Sequence, residues 1–185
     1  MEPRLIFLDE IAWHDRSFEI PSHRGDTRLH DSLNRFGILD PLWVLKGGAK
    51  YAIVDGFKRL HWAKEKGVQA ANAVIWPETL PRPEMWERRI EKKTFENSPN
   101  PAEKARIAEV LLEFYPDGKA PRHLLSALNI PQRKEILDRW VQLCAGGPAL
   151  LELLGSGEVS DRAALEVARW MPESRAAILG LLRDL

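Results

Sequence analysis

Two rhythms of apolar residues divide the chain. In the first half, short β-like runs interleave with helical spacings. Arg4–Leu8 reads as a short strand, and Leu29, Leu33 and Phe36 predict a helix over Asp26–Phe36, with Asp26 as N-cap and Gly37 as its stop. Two β-rich runs, Pro41–Lys46 and Lys50–Val54, flank Gly47-Gly48 and read as a hairpin. The chain then passes through Asp55-Gly56 into a helix over Phe57–Lys66 that carries Leu60, Trp62 and Ala63 and stops at Gly67; Ala71–Trp76 supplies a last strand. The order β, α, hairpin, α, β predicts a small α+β domain.

From Pro81 onward only the helical rhythm persists. Breaks at Asn97–Pro101, Tyr115–Gly118, Gly146–Pro148, Gly155–Gly157 and Met171-Pro172 separate helices predicted over Pro101–Phe114, Pro121–Leu128, Pro131–Leu143, Ala149–Leu154, Asp161–Trp170 and Glu173–Leu182. Proline near the first turn recurs in several of them, a position that tolerates a missing N–H. The predicted organisation is therefore a mixed α/β domain over residues 1–97 and an all-helical domain over residues 98–185.

Composition narrows the class. Of the 185 residues 44% are apolar, and 27 Lys and Arg balance 27 Asp and Glu, which excludes an intrinsically disordered chain. The single cysteine, Cys144, rules out an internal disulfide or a cysteine-based zinc site, and a reducing, cytoplasmic setting is expected. No run approaches the ~20 apolar residues of a membrane span, and the first ten residues lack the pattern of a signal peptide, so no membrane partner is expected.

Zero net charge also limits nucleic-acid binding, whose affinity rests on neutralised phosphates. Any basic excess must be local. Between Lys119 and Arg139 lie five basic residues (Lys119, Arg122, Arg133, Lys134, Arg139) against two acidic ones (Glu135, Asp138), with His123 beside them. Gln132, Arg133 and Lys134 open the second of two predicted helices, where a recognition helix presents its base-reading side chains, and Arg139 is placed for a phosphate. The same pattern also occurs in helical domains that touch no DNA.

The sharpest local feature is Ile53-Val54-Asp55-Gly56-Phe57-Lys58-Arg59. A glycine at the mouth of a helix lets backbone approach a ligand, the helix N–H groups favour an anion, and Lys58 and Arg59 add two cations. The spacing is neither that of a P-loop nor that of a dinucleotide glycine fingerprint. The bland alternative is an ordinary turn with solvated cations.

Gly37-Ile38-Leu39-Asp40-Pro41-Leu42-Trp43-Val44, then Tyr51 to Arg59, then Trp62-Ala63-Lys64-Glu65-Lys66-Gly67 and Ala73-Val74-Ile75, resembles the N-terminal domain of ParB-type partition proteins over roughly residues 5–77. Glu96-Asn97 falls at that family's E-N-x-x-R motif, Asn100-Pro101-Ala102-Glu103-Lys104-Ala105 resembles its N-P-x-E-x-A helix start, and Leu124–Ile130 with Arg133–Leu143 is similar to its helix-turn-helix. The resemblance implies a ParB/sulfiredoxin-like domain binding CTP or another nucleoside triphosphate with Mg²⁺, followed by a helix-turn-helix domain on DNA, in chromosome or plasmid partition or in regulation. By position, Gly56, Lys58 and Arg59 would hold phosphates, with Asp55 in the same turn. Gly37 and Ile38 would line the nucleobase side, Glu96 would meet Mg²⁺ and Asn97 a phosphate, and Gln132, Arg133, Lys134 and Arg139 would meet DNA. Hard Mg²⁺ suits this set, since it takes one or two carboxylates plus phosphate oxygens.

The departures from the family pattern carry information too. Phe57 and Lys58 replace the acidic residue and first arginine of G-E-R-R, and the arginine of E-N-x-x-R has no counterpart, which speaks against hydrolysis by a CTPase-like NTPase more than against binding. No C-terminal dimerisation segment is recognisable, so DNA binding is expected to be weak for a single chain and helped by a homodimer or by nucleotide. The alternative is a small Mg²⁺-dependent enzyme on the same fold, an NTPase, kinase or nuclease with Asp55 and Glu96 on the metal, or a degenerate interaction module. Sulfiredoxin chemistry is excluded, because Phe57 stands where its cysteine would be. The seven tryptophans read as packing, the five histidines, His23 among them, lack zinc spacing, and the mixed-charge run Glu84–Lys93 reads as a solvated helix face.

Overall fold

The computed structural model describes residues 2–21, 27–170, 174 and 179–180; the predicted cap Asp26, His23 and most of the helix predicted over Glu173–Leu182 lie outside them. The chain divides into two compact units, Met1–Glu19 with Gly25–Arg89, and Ile20–Arg24 with Ile90–Leu185.

The first unit holds β1 (Arg4–Phe7), α1 (Thr27–Phe36), β2 (Leu42–Gly47), β3 (Lys50–Asp55), α2 (Phe57–Glu65) and β4 (Ala70–Trp76). Its sheet has the order β1-β4-β2-β3, antiparallel except for the central β2–β4 pair. That parallel pair follows from the connection: two parallel strands need a crossover, and β3 with α2 supplies it. Alternation along the strands turns Ile6, Leu42, Val44, Ile53, Ala71 and Ala73 to one core, which Leu60 of α2 completes. The β2–β3 register shifts between Trp43 and Val44, so that Trp43 faces Asp55 while Val44 faces Ile53. Val54 is the extra residue of this bulge, and Asp55 ends the strand beside Gly56.

The division between units falls inside α3 (Arg82–Glu96), after Arg89; the end of α3 and the start of α4 (Pro101–Phe114) bracket the predicted boundary at Asn97–Asn100. The expectation that Glu84–Lys93 forms only a solvated face needs correction, because α3 buries Met85, Trp86, Arg89 and Ile90. Their spacing is that of one helix side.

In the second unit α4 begins with a reciprocal cap. Asn100 Oδ1 accepts from the Glu103 amide at 2.9 Å, the Asn100 amide donates to Glu103 Oε2 at 2.8 Å, and Pro101 occupies the first turn. Ala102 and Ala105 of α4 pack with Leu143 of α6 (Lys134–Cys144), Leu150, Leu153 and Leu154 of α7 (Pro148–Ser156), and Ala164 and Val167 of α8 (Asp161–Ala168). The short α5 (Arg122–Ala127) precedes α6 and buries Leu124 and Leu125. Trp76 and Trp86 are buried, as the packing role expected for tryptophan requires, whereas Trp13 and Trp170 are part-exposed.

Candidate functional site

The turn between β3 and α2 is fixed by Gly56. Its φ of 99° and ψ of 25° place it in the left-handed region, and a Cβ there would lie 2.6 Å from Leu42 Cδ2. Both facts demand glycine. Gly56, the N-cap of α2, has no side chain to cap it, and this helix start carries the positive end of the helix dipole.

Behind the turn lies a cluster that the sequence only half discloses. Asp55, Arg59 and Arg89 are 6%, 9% and 6% exposed. Arg59 Nη2 reaches Asp55 Oδ2 at 2.9 Å, and Arg89 Nη2 reaches Asp55 Oδ1 at 3.0 Å, so each carboxylate oxygen faces a guanidinium. Arg59 also donates through Nη1 to the Asp40 carbonyl at 2.7 Å and to the Pro41 carbonyl at 3.1 Å. The residue matched to a phosphate-binding arginine is thus engaged within the chain. It braces the Gly56 turn against the loop that follows α1.

That loop brings in the other residues expected near the nucleobase. Gly37, with φ of 69°, ends α1 through its amide bond to the Leu33 carbonyl at 2.9 Å, and half-buried Ile38 packs against the sheet core. Through Arg59 the segment Gly37–Pro41 and the turn Asp55–Arg59 form one assembly in the first unit. Lys58 is half-buried on the first turn of α2.

Glu96 and Asn97 belong to the second unit. Glu96 Oε1 lies 2.5 Å from Lys92 Nζ, and exposed Asn97 follows the last turn of α3, where its amide meets the Lys93 carbonyl at 3.1 Å. Among the described residues no group of three or more His, Cys, Asp or Glu could hold a metal. Glu96 offers Mg²⁺ one carboxylate that a cation would share with Lys92, and Asp55 has both oxygens on arginines. With both oxygens on arginines, Asp55 is disfavoured as the metal ligand of the enzyme alternative.

The predicted DNA face lies on α5, α6 and the turn between them. Leu124, Leu125, Leu128, Ile130 and Leu137 form its buried side. Asn129 takes a left-handed φ of 55°, its amide bonds the Ser126 carbonyl at 3.0 Å, and the Ile130 amide bonds the Leu125 carbonyl at 2.9 Å. Gln132 accepts from Arg122 Nε at 3.0 Å and donates to the Ala120 carbonyl at 3.1 Å, so its amide holds the turn together. Lys134 pairs with Asp138 at 2.8 Å and Lys119 with Asp117 at 3.1 Å. Arg133, the N-cap of α6, and Arg139 are exposed. Local pairing makes the patch less positive than the count of its cations suggests.

No protein-family model matches the chain, and no curated protein matches it. Two solved structures of a pNOB8-like ParB N-domain do, at TM-scores of 0.54 and 0.53 over 100% of this chain and 85% and 80% of theirs, with 14% and 16% identity. The fold is that of the ParB N-domain. A looser match is the C-terminally truncated chromosome-partitioning protein ParB from Caulobacter crescentus complexed with CTP-γ-S, with a TM-score of 0.41 and 18% identity over 98% of this chain and 99% of that one. At such identities the likeness speaks of fold, and at that level the expected resemblance to ParB holds.

Arg89 is the residue of this buried cluster that sequence reasoning missed. It sits in no recognised motif, and the mixed charges of its helix made it look solvated. The signal was present in Met85, Trp86, Arg89 and Ile90, which share one side of α3. Keeping it buried is costly: an unmet buried donor costs about 1–3 kcal/mol. Arg89 Nε and Nη1, and Trp86 Nε1, meet no acceptor among the described residues.

Proposed function

We propose that this chain is a nucleotide-responsive, DNA-binding protein of the partition type. A nucleoside triphosphate, CTP or another, binds at the β3–α2 turn, and α6 meets DNA. The observation that carries the reading is the left-handed Gly56 at the start of α2, with a net positive cluster of two guanidinium groups and one carboxylate behind it. Phosphate oxygens are the ligand that such an end favours. In this reading Gly56 and Lys58 meet phosphate, Arg59 holds the turn to the Gly37–Ile38 loop on the nucleobase side, and Mg²⁺ offsets phosphate charge when bound. Arg133 and Arg139 make the DNA contacts, flanked by Gln132 and Lys134, and a homodimer strengthens them.

Calorimetric titration of the four nucleoside triphosphates with Mg²⁺ tests the pocket. One of them should bind to the wild type, and more weakly to Arg59→Ala; absence of heat with all four would overturn the nucleotide reading. Duplex-DNA binding at low and moderate salt, with Arg133→Ala, tests the second unit, where unchanged binding in the variant would remove α6 from the interface.

A further inference from the structure

The proposed site has its positive charge in an unexpected place. Arg59, the arginine of the turn, has Nη1 on two backbone carbonyls and Nη2 on Asp55. Arg89 uses Nη2 on the other oxygen of the same carboxylate and keeps Nε and Nη1 without an acceptor among the described residues. One carboxylate cannot balance two guanidinium groups, so the cluster carries a surplus positive charge beside the start of α2. Trp86 Nε1 is a further unmet donor three residues earlier on α3, and residues three apart share a helix side. Unmet buried donors are rare in native proteins, and a set of them around a surplus charge points to an acceptor-rich anion.

We infer that Arg89 is the phosphate-receiving arginine of this turn, with Trp86 Nε1 as a neighbouring donor, while Arg59 acts as the brace that positions Asp55 and the loop. The inference rests on the nucleotide reading and assigns its ligand chemistry: a polyphosphate chain, which offers several oxygens to donors on different edges of one guanidinium. Nε and Nη1 lie on different edges of the guanidinium, with Cδ between them, so they call for two separate acceptor oxygens held in one plane, an arrangement that lysine cannot copy. These donors are buried, so the phosphates are received inside the turn.

The test uses inorganic tripolyphosphate and the four nucleoside triphosphates, each with Mg²⁺, on the whole chain. In wild type, adding the ligand that binds should shift the ¹⁵N–¹H guanidinium signal of Arg89 Nε and slow its hydrogen exchange. Arg89→Met should weaken tripolyphosphate about tenfold or more, Arg89→Lys should recover only part of that, and the corresponding nucleoside should bind all three proteins alike. Binding of tripolyphosphate with the Arg89 signal unmoved, or equal affinity in folded Arg89→Met, overturns the inference and leaves the nucleotide reading standing. No binding of any triphosphate to wild type overturns both. The wild-type spectrum decides even where the methionine variant fails to fold.

Discussion

Asp55 and Arg133 are both charged residues at the mouth of a helix, and the molecule treats them in opposite ways. Asp55 is buried before α2, with an arginine on each oxygen, while Arg133 caps α6 in open solvent. The same contrast runs through their neighbourhoods. Around the β3–α2 turn the charges are few, desolvated and oriented by backbone carbonyls, so that each is costly to misplace. Around α5 and α6 they are exposed and half cancelled by Asp117 and Asp138. Charge at the first region is built into the fold, and charge at the second can change with little effect on it.

The most forceful way to break this comparison is Asp55→Ala. It leaves two buried guanidinium groups without their shared counter-ion and should cost about 3–5 kcal/mol in urea unfolding, whereas Arg133→Ala should stay within about 0.5 kcal/mol. If the two variants unfold alike, the contrast fails. Next in size is Gly56→Ala, which pays about 1–2 kcal/mol for a left-handed alanine, with the overlap on Leu42 added to it. The same variant should weaken triphosphate binding.

Asn100→Ala sharpens the comparison from within the second unit. Losing the cap of α4 should cost about 1 kcal/mol in thermal or urea unfolding, more than any change to the exposed basic residues of α6. For DNA the reverse ranking is expected. Arg139→Ala should weaken binding across all sequences and lower the salt slope by about 1, while Gln132→Ala, whose amide is occupied inside the turn, should leave that slope unchanged.

The smallest effect concerns Cys144, which lines a shallow cavity with Arg106, Glu109 and Leu151. Burial, and after it the charge of Glu109, pushes its thiol up to about 11 from 9.0. The native state then holds the proton more tightly than the unfolded chain, so this contribution to stability is complete below pH 9 and fades as pH climbs through 11. Near pH 7.5 alkylation of the native protein should be slow and should accelerate on unfolding.

Much of the framework was legible because each element announces itself locally. Gly37, Gly67 and the Gly47-Gly48 pair stop helices or turn strands, alternation marks β2 and β3, and the N-P-x-E pattern at Asn100 gave the start of α4. The site was legible only where it follows the chain. Asp55, Gly56, Lys58 and Arg59 are consecutive or nearly so, and glycine before a helix with basic residues is a local signal. Arg89 reaches Asp55 from a different helix, and no local pattern separates an arginine drawn inward by a distant carboxylate from one that points to water. The same holds for Gln132, whose exposed position suggests a reader of bases until its partners on Arg122 and Ala120 are known.

Asn129 illustrates how such a molecule can mislead a screen. Its left-handed backbone, and not its side chain, sets the direction in which the chain leaves α5 for α6. Glycine should be accepted there, and a β-branched residue should not. A valine at this position would tilt every downstream side chain at once, and a selection scored on DNA affinity would rank Asn129 beside Arg133 as though it touched the duplex. The position works as a joint, whose failure is felt wherever the arm beyond it was meant to reach.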